Sequence, residues 1–216
     1  MNKKAIVLGA SGLVGSNLIN QLCDNEHFNE VVSITRRPER HQSAKVVNHV
    51  IDFERLNDFG FAFEGDLLFS CLGTTVKQAG SIAAQRRVDL DYQFDAAKLA
   101  AEHGVSHYFL VSSSGANAKN FSPYLKMKGQ LEEAVVTLGF KSVTILQPSL
   151  LLGDRPEPRA AEGLASIALP LICRLPGLQR FRPIHGWQVA KKMIELSLTD
   201  RSGVQTLNLN KVFPSG

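Results

Sequence analysis

Apolar residues change their period along this chain, and each change marks an element. Ala5-Ile-Val-Leu8 is a short apolar run ending at Gly9, the pattern of a buried strand entering a turn. Leu13, Val14, Leu18, Ile19 and Leu22 then recur at helical spacing. Further strands are predicted at 31–35, 45–51, 66–71, 107–112 and 142–147, the last broken by Pro148. Helices are predicted over 82–103, closed by Gly104, and over 122–138, closed by Gly139. Beyond 149 the pattern weakens; 164–173 and 187–198 read as helices and 204–209 as a last short strand. Strands alternating with helices imply an α/β fold, a doubly wound and mostly parallel sheet with helices on both faces. One domain is expected over 1–216. The segment 149–216 is too short to fold alone and is expected to form a small cap over the carboxyl ends of the strands.

The 216 residues, 44% hydrophobic and 20% charged, suit one soluble domain with a buried core. No apolar run reaches the roughly 18 residues that cross a bilayer, and no signal-peptide apolar region precedes the first turn. Cys23, Cys71 and Cys173 are too scattered for a disulfide framework or a zinc site and read as reduced thiols in or near the core. These observations give the expectation of a cytoplasmic protein without membrane contact. The net charge of +4 raises nucleic acid as a partner, but the basic residues are dispersed and not interleaved with aromatics. Nucleic acid is therefore not expected.

Gly9-Ala-Ser-Gly-Leu-Val-Gly15 places three glycines at spacing three between a strand and a helix. Gly9 allows the sharp exit, Gly12 lets a pyrophosphate approach the backbone, and Gly15 lets the helix pack on the sheet. Phosphates would meet the free N–H groups and the positive end of the helix dipole at the start of this helix. This is the signature of a Rossmann sheet that binds a dinucleotide. The end of the second strand selects which one. A carboxylate there would take the ribose 2′-OH of NAD, whereas Thr35-Arg36-Arg37 offers guanidinium groups to the 2′-phosphate, so NADP(H) is expected. Asp52 and Phe53 follow the third strand. Asp52 could accept from the adenine amino group or equally cap the next turn, with the Phe53 backbone beside it. Leu72-Gly73-Thr74 follows the fourth strand, where glycine lets the backbone approach the cofactor ribose.

Tyr124 and Lys128 lie four apart on a predicted helix and share a face. A neighbouring ammonium favours a phenolate, which suits Tyr124 as proton donor or acceptor in hydride transfer, with Lys128 also holding the nicotinamide ribose. Lys126 points away around the helix. Elsewhere such a spacing is commonly a solvated face; here it follows a strand ending in Ser112-Ser113-Ser114. Any of the three hydroxyls is a candidate to orient a substrate carbonyl, and Ser112 is also counted among the cofactor contacts.

These residues, with Cys71-Leu-Gly-Thr-Thr75, Arg87-Val-Asp-Leu-Asp-Tyr92, Ser112-Ser-Ser-Gly-Ala116, Tyr124-Leu-Lys-Met-Lys-Gly129 and Gln147-Pro-Ser-Leu-Leu-Leu-Gly-Asp-Arg155, resemble the atypical short-chain dehydrogenase/reductases, in their Tat-interactive oxidoreductase group with its bacterial relatives. The resemblance covers residues 4 to about 160. It implies that Ser11 to Val14, Arg36, Arg37, Leu72, Gly73, Tyr124 and Lys128 contact NADPH. It further implies that Tyr124 donates the proton, that Leu151 and Arg159 lie near the nicotinamide, and that Ser113 or Ser114 polarises the substrate. One departure is Gln147, where the family often has an arginine before the proline.

His103 and His107 read as a helix end and a strand start, so no metal is expected. Trp187, beside His185, reads as packing, and the twelve phenylalanines follow core periodicities. The expectation is an NADP(H)-dependent oxidoreductase of a small carbonyl or alcohol. The alternatives are a non-catalytic NADP(H) sensor and a scaffold for another nucleotide. Self-association into a homo-oligomer stays open, with no interface legible in the pattern.

Overall fold

A computed structural model describes residues 2–153 and 181–215. Strands β1 (Lys3–Leu8), β2 (Phe28–Thr35), β3 (Val46–Val50), β4 (Leu67–Ser70), β5 (His107–Val111) and β6 (Ser142–Gln147) all join one sheet. Strands β7 (Leu151–Leu152) and β8 (Ile184–His185) pair with each other, and β9 (Gly203–Asn208) returns to the main sheet. The seven strands run parallel in the order β3-β2-β1-β4-β5-β6-β9. Chain order reverses between β1 and β4, which opens a crevice at their carboxyl ends.

Both sheet faces are covered, which is why the strands are nearly continuous apolar runs. Ala5 and Val7 point to one side, where α1 (Leu13–Asp24) and a C-terminal helix, Gly186–Ser197, supply Val14, Leu18, Leu22, Val189 and Met193. Ile6 and Leu8 point to the other side, against 3₁₀ turns over Phe53–Phe63 and two central helices. The 3₁₀ stretch was not legible as an element: its backbone leaves helical geometry at Arg55 and Phe59, so its buried Phe53, Leu56 and Phe63 follow no single period.

After β4 the chain makes one turn, α2 (Val76–Ala79), and then the helix expected over 82–103. That helix is found in three pieces: α3 (Ile82–Arg86), a π-helical turn (Arg87–Asp91) in which the Tyr92 N–H donates to the Arg87 carbonyl, and α4 (Tyr92–Glu102). Helix α5 (Pro123–Val135) ends three residues before its expected close, and α6 is the C-terminal helix Gly186–Ser197. Of the segment expected as a cap, α6 packs on α1 and β9 extends the main sheet. The helix expected at 164–173, with Cys173, lies outside the described residues.

Candidate functional site

Strand register alone brings the candidate residues to one edge. Leu8 pairs with Ile34 on β2 and with Ser70 on β4; Ser70 pairs with Leu110, and Val111 with Leu146. Thr35 pairs with Val50 on β3. Gly9–Ser11, Arg36–Arg37, Asp52, Cys71–Leu72, Ser112 and Gln147 therefore leave the sheet at one level, along the crevice rim.

Gly9 sits at φ +77°, and a Cβ there would lie 2.8 Å from the Cys71 carbonyl and the Leu72 nitrogen, so only glycine lets the two turns touch. The turn is closed by the Gly12 N–H donating to the Gly9 carbonyl (3.0 Å), and the Cys71 N–H donates to the Leu8 carbonyl (2.9 Å). Gly15 is buried, and its Cβ would overlap the Gly9 carbonyl. Helix α1 begins at Gly12 with no side-chain cap and no acidic residue in its first turn. An uncapped, acid-free helix start next to a glycine turn fits an anionic group. Leu13 is pressed against Gly153 and Gly186, which sets β7, with Leu151, beside the same helix end.

Arg36 and Arg37 are exposed just beyond β2. Their turn is pinned from β3: the Asn48 amide donates to the Thr35 hydroxyl (2.9 Å), and that hydroxyl donates to the Arg37 carbonyl (2.7 Å). Asn48 escaped the sequence reading because it occupies an ordinary strand position. Asp52 caps the 3₁₀ turns, accepting from the Glu54 N–H at 2.9 Å, while its exposed carboxylate stays at the rim. The Phe53 ring is buried against Tyr92, leaving only its backbone to the cleft.

Lys128 is the decisive placement. It is 2% exposed, and its Nζ lies 3.5 Å from the Leu72 carbonyl and 3.4 Å from Oδ1 of Asp89, which is itself 0% exposed. Oδ2 of Asp89 accepts the Thr74 N–H at 3.0 Å. Gly73 lies over this carboxylate, and the Gln85 amide donates to the Thr74 carbonyl at 3.2 Å. In the sequence Asp89 stands out only as part of the Arg87–Tyr92 motif. The signal that could have found it is polar: Gln85, Asp89 and Gln93 recur every four residues on a helix face that the pattern buries.

Tyr124 is half-buried one turn before Lys128. One turn after it, Glu132 receives two hydrogen bonds from the Gln147 amide (3.0 and 2.9 Å), near the buried Ser112. Burial raises the Glu132 carboxyl above its usual range, against the opposing pull of these bonds and of Lys128. Burial also pushes the Cys71 thiol up to about 12, with Lys128 pulling the other way. Ser113 and Ser114 are half-buried; the Ser114 N–H donates to the Pro148 carbonyl (2.9 Å), which ties the loops after β5 and β6 together. Arg159 lies outside the described residues.

A family model described as NAD(P)H-binding matches residues 9–164. The chain belongs to this NAD(P)H-binding family. It falls within the atypical short-chain dehydrogenase/reductases. It is 39% identical to rat protein HTATIP2 over 168 residues, covering 76% of this chain and 69% of that one. It is 38% identical over 161 residues to the mitochondrial protein FMP52 of Candida glabrata, covering 71% and 66%. With that of Eremothecium gossypii it shares 31% over 201 residues, covering 91% and 89%. The fold is shared with MoeE5 in complex with UDP-glucuronic acid and NAD (TM-score 0.73, 19% identity, 95% of this chain and 76% of that one). It is shared also with the Thermotoga maritima UDP-glucose 4-epimerase (TM-score 0.71, 16% identity, 95% and 76%).

These relatives correct the expectation of a cytoplasmic protein: the FMP52 proteins are named as mitochondrial, so composition was a poor guide to location. Among the described residues no helix is long and apolar enough to cross a membrane, and no group of three metal-ligating side chains occurs.

Proposed function

We propose that this member of the NAD(P)H-binding family is an NADP(H)-dependent oxidoreductase acting on a small carbonyl or alcohol. The observation that carries this reading is the burial of Lys128 against the Leu72 turn. A Tyr-x-x-x-Lys pair on a solvated helix face would leave the lysine in water; this one is inside the crevice. NADPH, when bound, supplies the hydride. The amides of Ser11, Leu13 and Val14 would bind the pyrophosphate, Arg36 and Arg37 the 2′-phosphate, and the backbone at Leu72–Gly73 would lie against the nicotinamide ribose. In the reducing direction the Tyr124 hydroxyl gives its proton to the carbonyl oxygen, while Ser113 or Ser114 donates a hydrogen bond that orients it. Lys128 fixes the floor on which both act.

The test is NADPH oxidation followed by absorbance across a carbonyl panel, with Tyr124→Phe alongside. A loss of at least a hundredfold in kcat/KM is expected, the usual worth of a positioned proton donor. Full turnover by Tyr124→Phe removes the assigned chemistry. NADPH binding without turnover on any substrate moves the protein to the sensor reading. Calorimetry of Arg36→Ser/Arg37→Ser checks the cofactor: the preference for NADPH over NADH is expected to fall about tenfold or more.

A further inference from the structure

The loop after β3 and the helix after β4 are joined at the surface by one carboxylate. Glu54, in the first of the 3₁₀ turns, accepts hydrogen bonds from the Arg87 guanidinium and from the Tyr92 hydroxyl. In a regular α-helix, side chains five apart are about 140° apart around the axis and cannot grip one partner. The π-helical turn, marked by the Tyr92 N–H to Arg87 carbonyl bond, brings the two to one side. Ring contacts strengthen the joint: the Arg87 guanidinium lies 5.9 Å from the centre of the Tyr92 ring, and that ring packs on Phe53 at 5.3 Å. The Tyr92 hydroxyl and then the Arg87 guanidinium hold the Glu54 carboxyl below its usual range, so it stays ionised at neutral pH.

Exposure decides what this joint is for. The Arg87 and Glu54 side chains are 56% and 48% exposed, and ion pairs in that setting add little to stability. A π-turn inside an α-helix is uncommon and is often found at functional sites. The consequence of the grip is therefore one of place. Backbone and side chain of Glu54 act together: its N–H donates to Oδ1 of Asp52 at 2.9 Å, while its carboxylate is fixed to the helix. Asp52 leaves the sheet at the β3 end of the crevice rim, and with one of its oxygens taken, the direction of the other is set.

We propose that Glu54, gripped by Arg87 and Tyr92, is a positioning residue that aims the Asp52 carboxylate at the amino group of the cofactor's adenine, so that this joint helps to select the base. The proposal rests on the cofactor reading above. Glu54 touches no part of the nucleotide; it acts through Asp52 and the Phe53 backbone.

The experiment measures, by calorimetry on the full chain, dissociation constants for NADPH and for deamino-NADPH, which carries a carbonyl oxygen in place of the adenine amino group. A carboxylate aimed at the amino group would meet an acceptor instead of a donor in the analogue. The parent is expected to prefer NADPH about tenfold or more. Glu54→Ala keeps the N–H that Asp52 accepts and removes the grip. It is expected to cut the preference to threefold or less, the loss falling on NADPH while deamino-NADPH changes less than twofold. A merely structural role would weaken both nucleotides alike. Arg87→Met/Tyr92→Phe releases the same carboxylate from the helix side. It is expected to give the same split and, combined with Glu54→Ala, no further change.

An unchanged preference in either variant, or equal losses on the two nucleotides, overturns the proposal. So does a parent that binds the two nucleotides equally, an outcome that leaves the cofactor reading standing. A parent that binds neither brings down that reading itself. Should Glu54→Ala not fold, Arg87→Met/Tyr92→Phe decides by the same split.

Discussion

Gly15→Ala sets two local effects against each other, and the structure decides between them. Alanine is the better helix former by about 1 kcal/mol, so propensity alone predicts a more stable α1. The added methyl, however, would overlap the Gly9 carbonyl and approach the Ala10 Cα to 3.0 Å. Both are backbone atoms of a turn locked to Cys71 and Leu72, so neither side can yield by rotating a side chain. Helix α1 must instead move off the sheet, loosening Val14, Leu18 and Leu22 in the core they share with α6. Overpacking of this kind costs about 1–3 kcal/mol, and a backbone collision belongs at the upper end. The net expectation is a loss of about 2 kcal/mol, or about 4–8 °C in Tm for a chain of this size.

The same displacement moves the amides at the start of α1. Losing one charge-assisted hydrogen bond to phosphate, worth about 1.5–3 kcal/mol, lowers NADPH affinity at least tenfold. Urea unfolding followed by the fluorescence of Trp187, on the helix that packs against α1, reports the stability, and calorimetry reports the binding. An unchanged or higher midpoint would mean that the helix and the glycine turn are not packed as described.

Three further outcomes follow from the polar interior. Burial raises the Cys71 thiol from 9.0 to about 12, so its thiolate is about a thousandfold scarcer at pH 8. Native alkylation by iodoacetamide, read by mass spectrometry, is expected to be at least tenfold slower than for the unfolded chain, less than the thiolate ratio because a thiolate of higher pKa is the stronger nucleophile, and comparable rates would contradict the raised thiol. Because the folded state holds the Glu132 proton above its usual 4.5, the folded protein binds more protons than the unfolded chain in that window. Stability then declines as pH rises from about 4.5 through the raised value. Glu132→Gln is expected to flatten that decline and raise the pH 7 midpoint in urea, and a steeper decline would reverse the assignment. Gln147→Arg gives Glu132 a charge partner in place of the amide, so stability is expected to rise with pH over the same range, and an unaltered slope would show that the arginine does not reach the carboxylate.

The sheet was legible because strands buried on both faces are unbroken apolar runs, as at Ala5–Leu8 and 108–111, and because Gly104 closes α4 at positive φ; Gly139 instead stands beyond the end of α5. The rim of the site was legible for a related reason: backbone approach demands glycine, and Gly9 and Gly15 stand where no side chain fits, with Gly12 tightly placed between them. Its floor was not. Asp89 and Asn48 act through contacts with residues distant in sequence, Lys128 and the turn after β2, and local pattern carries no record of such a partner. The π-turn was hidden as well, since one added residue leaves apolar spacing within the tolerance of a helical reading.

The Lys128–Asp89 pair also determines what kind of help Lys128 can give Tyr124. A lone ammonium in a dry site would act on the phenol as a full charge; two unit charges 4 Å apart interact by about 4 kcal/mol at an effective dielectric constant of 20. Here the carboxylate lies 3.4 Å from the ammonium, and Glu132 sits one helical turn away on the same face. The field reaching Tyr124 is that of a dipole, which decays faster with distance than that of a single charge. The contribution of Lys128 to the proposed reaction is then chiefly positional, a fixed set of N–H donors on the crevice floor. Such donors are useful only when held to within about 0.5 Å by their surroundings. A stripe of buried polar residues on α3–α4 beneath the Tyr–Lys face is the support that this arrangement requires.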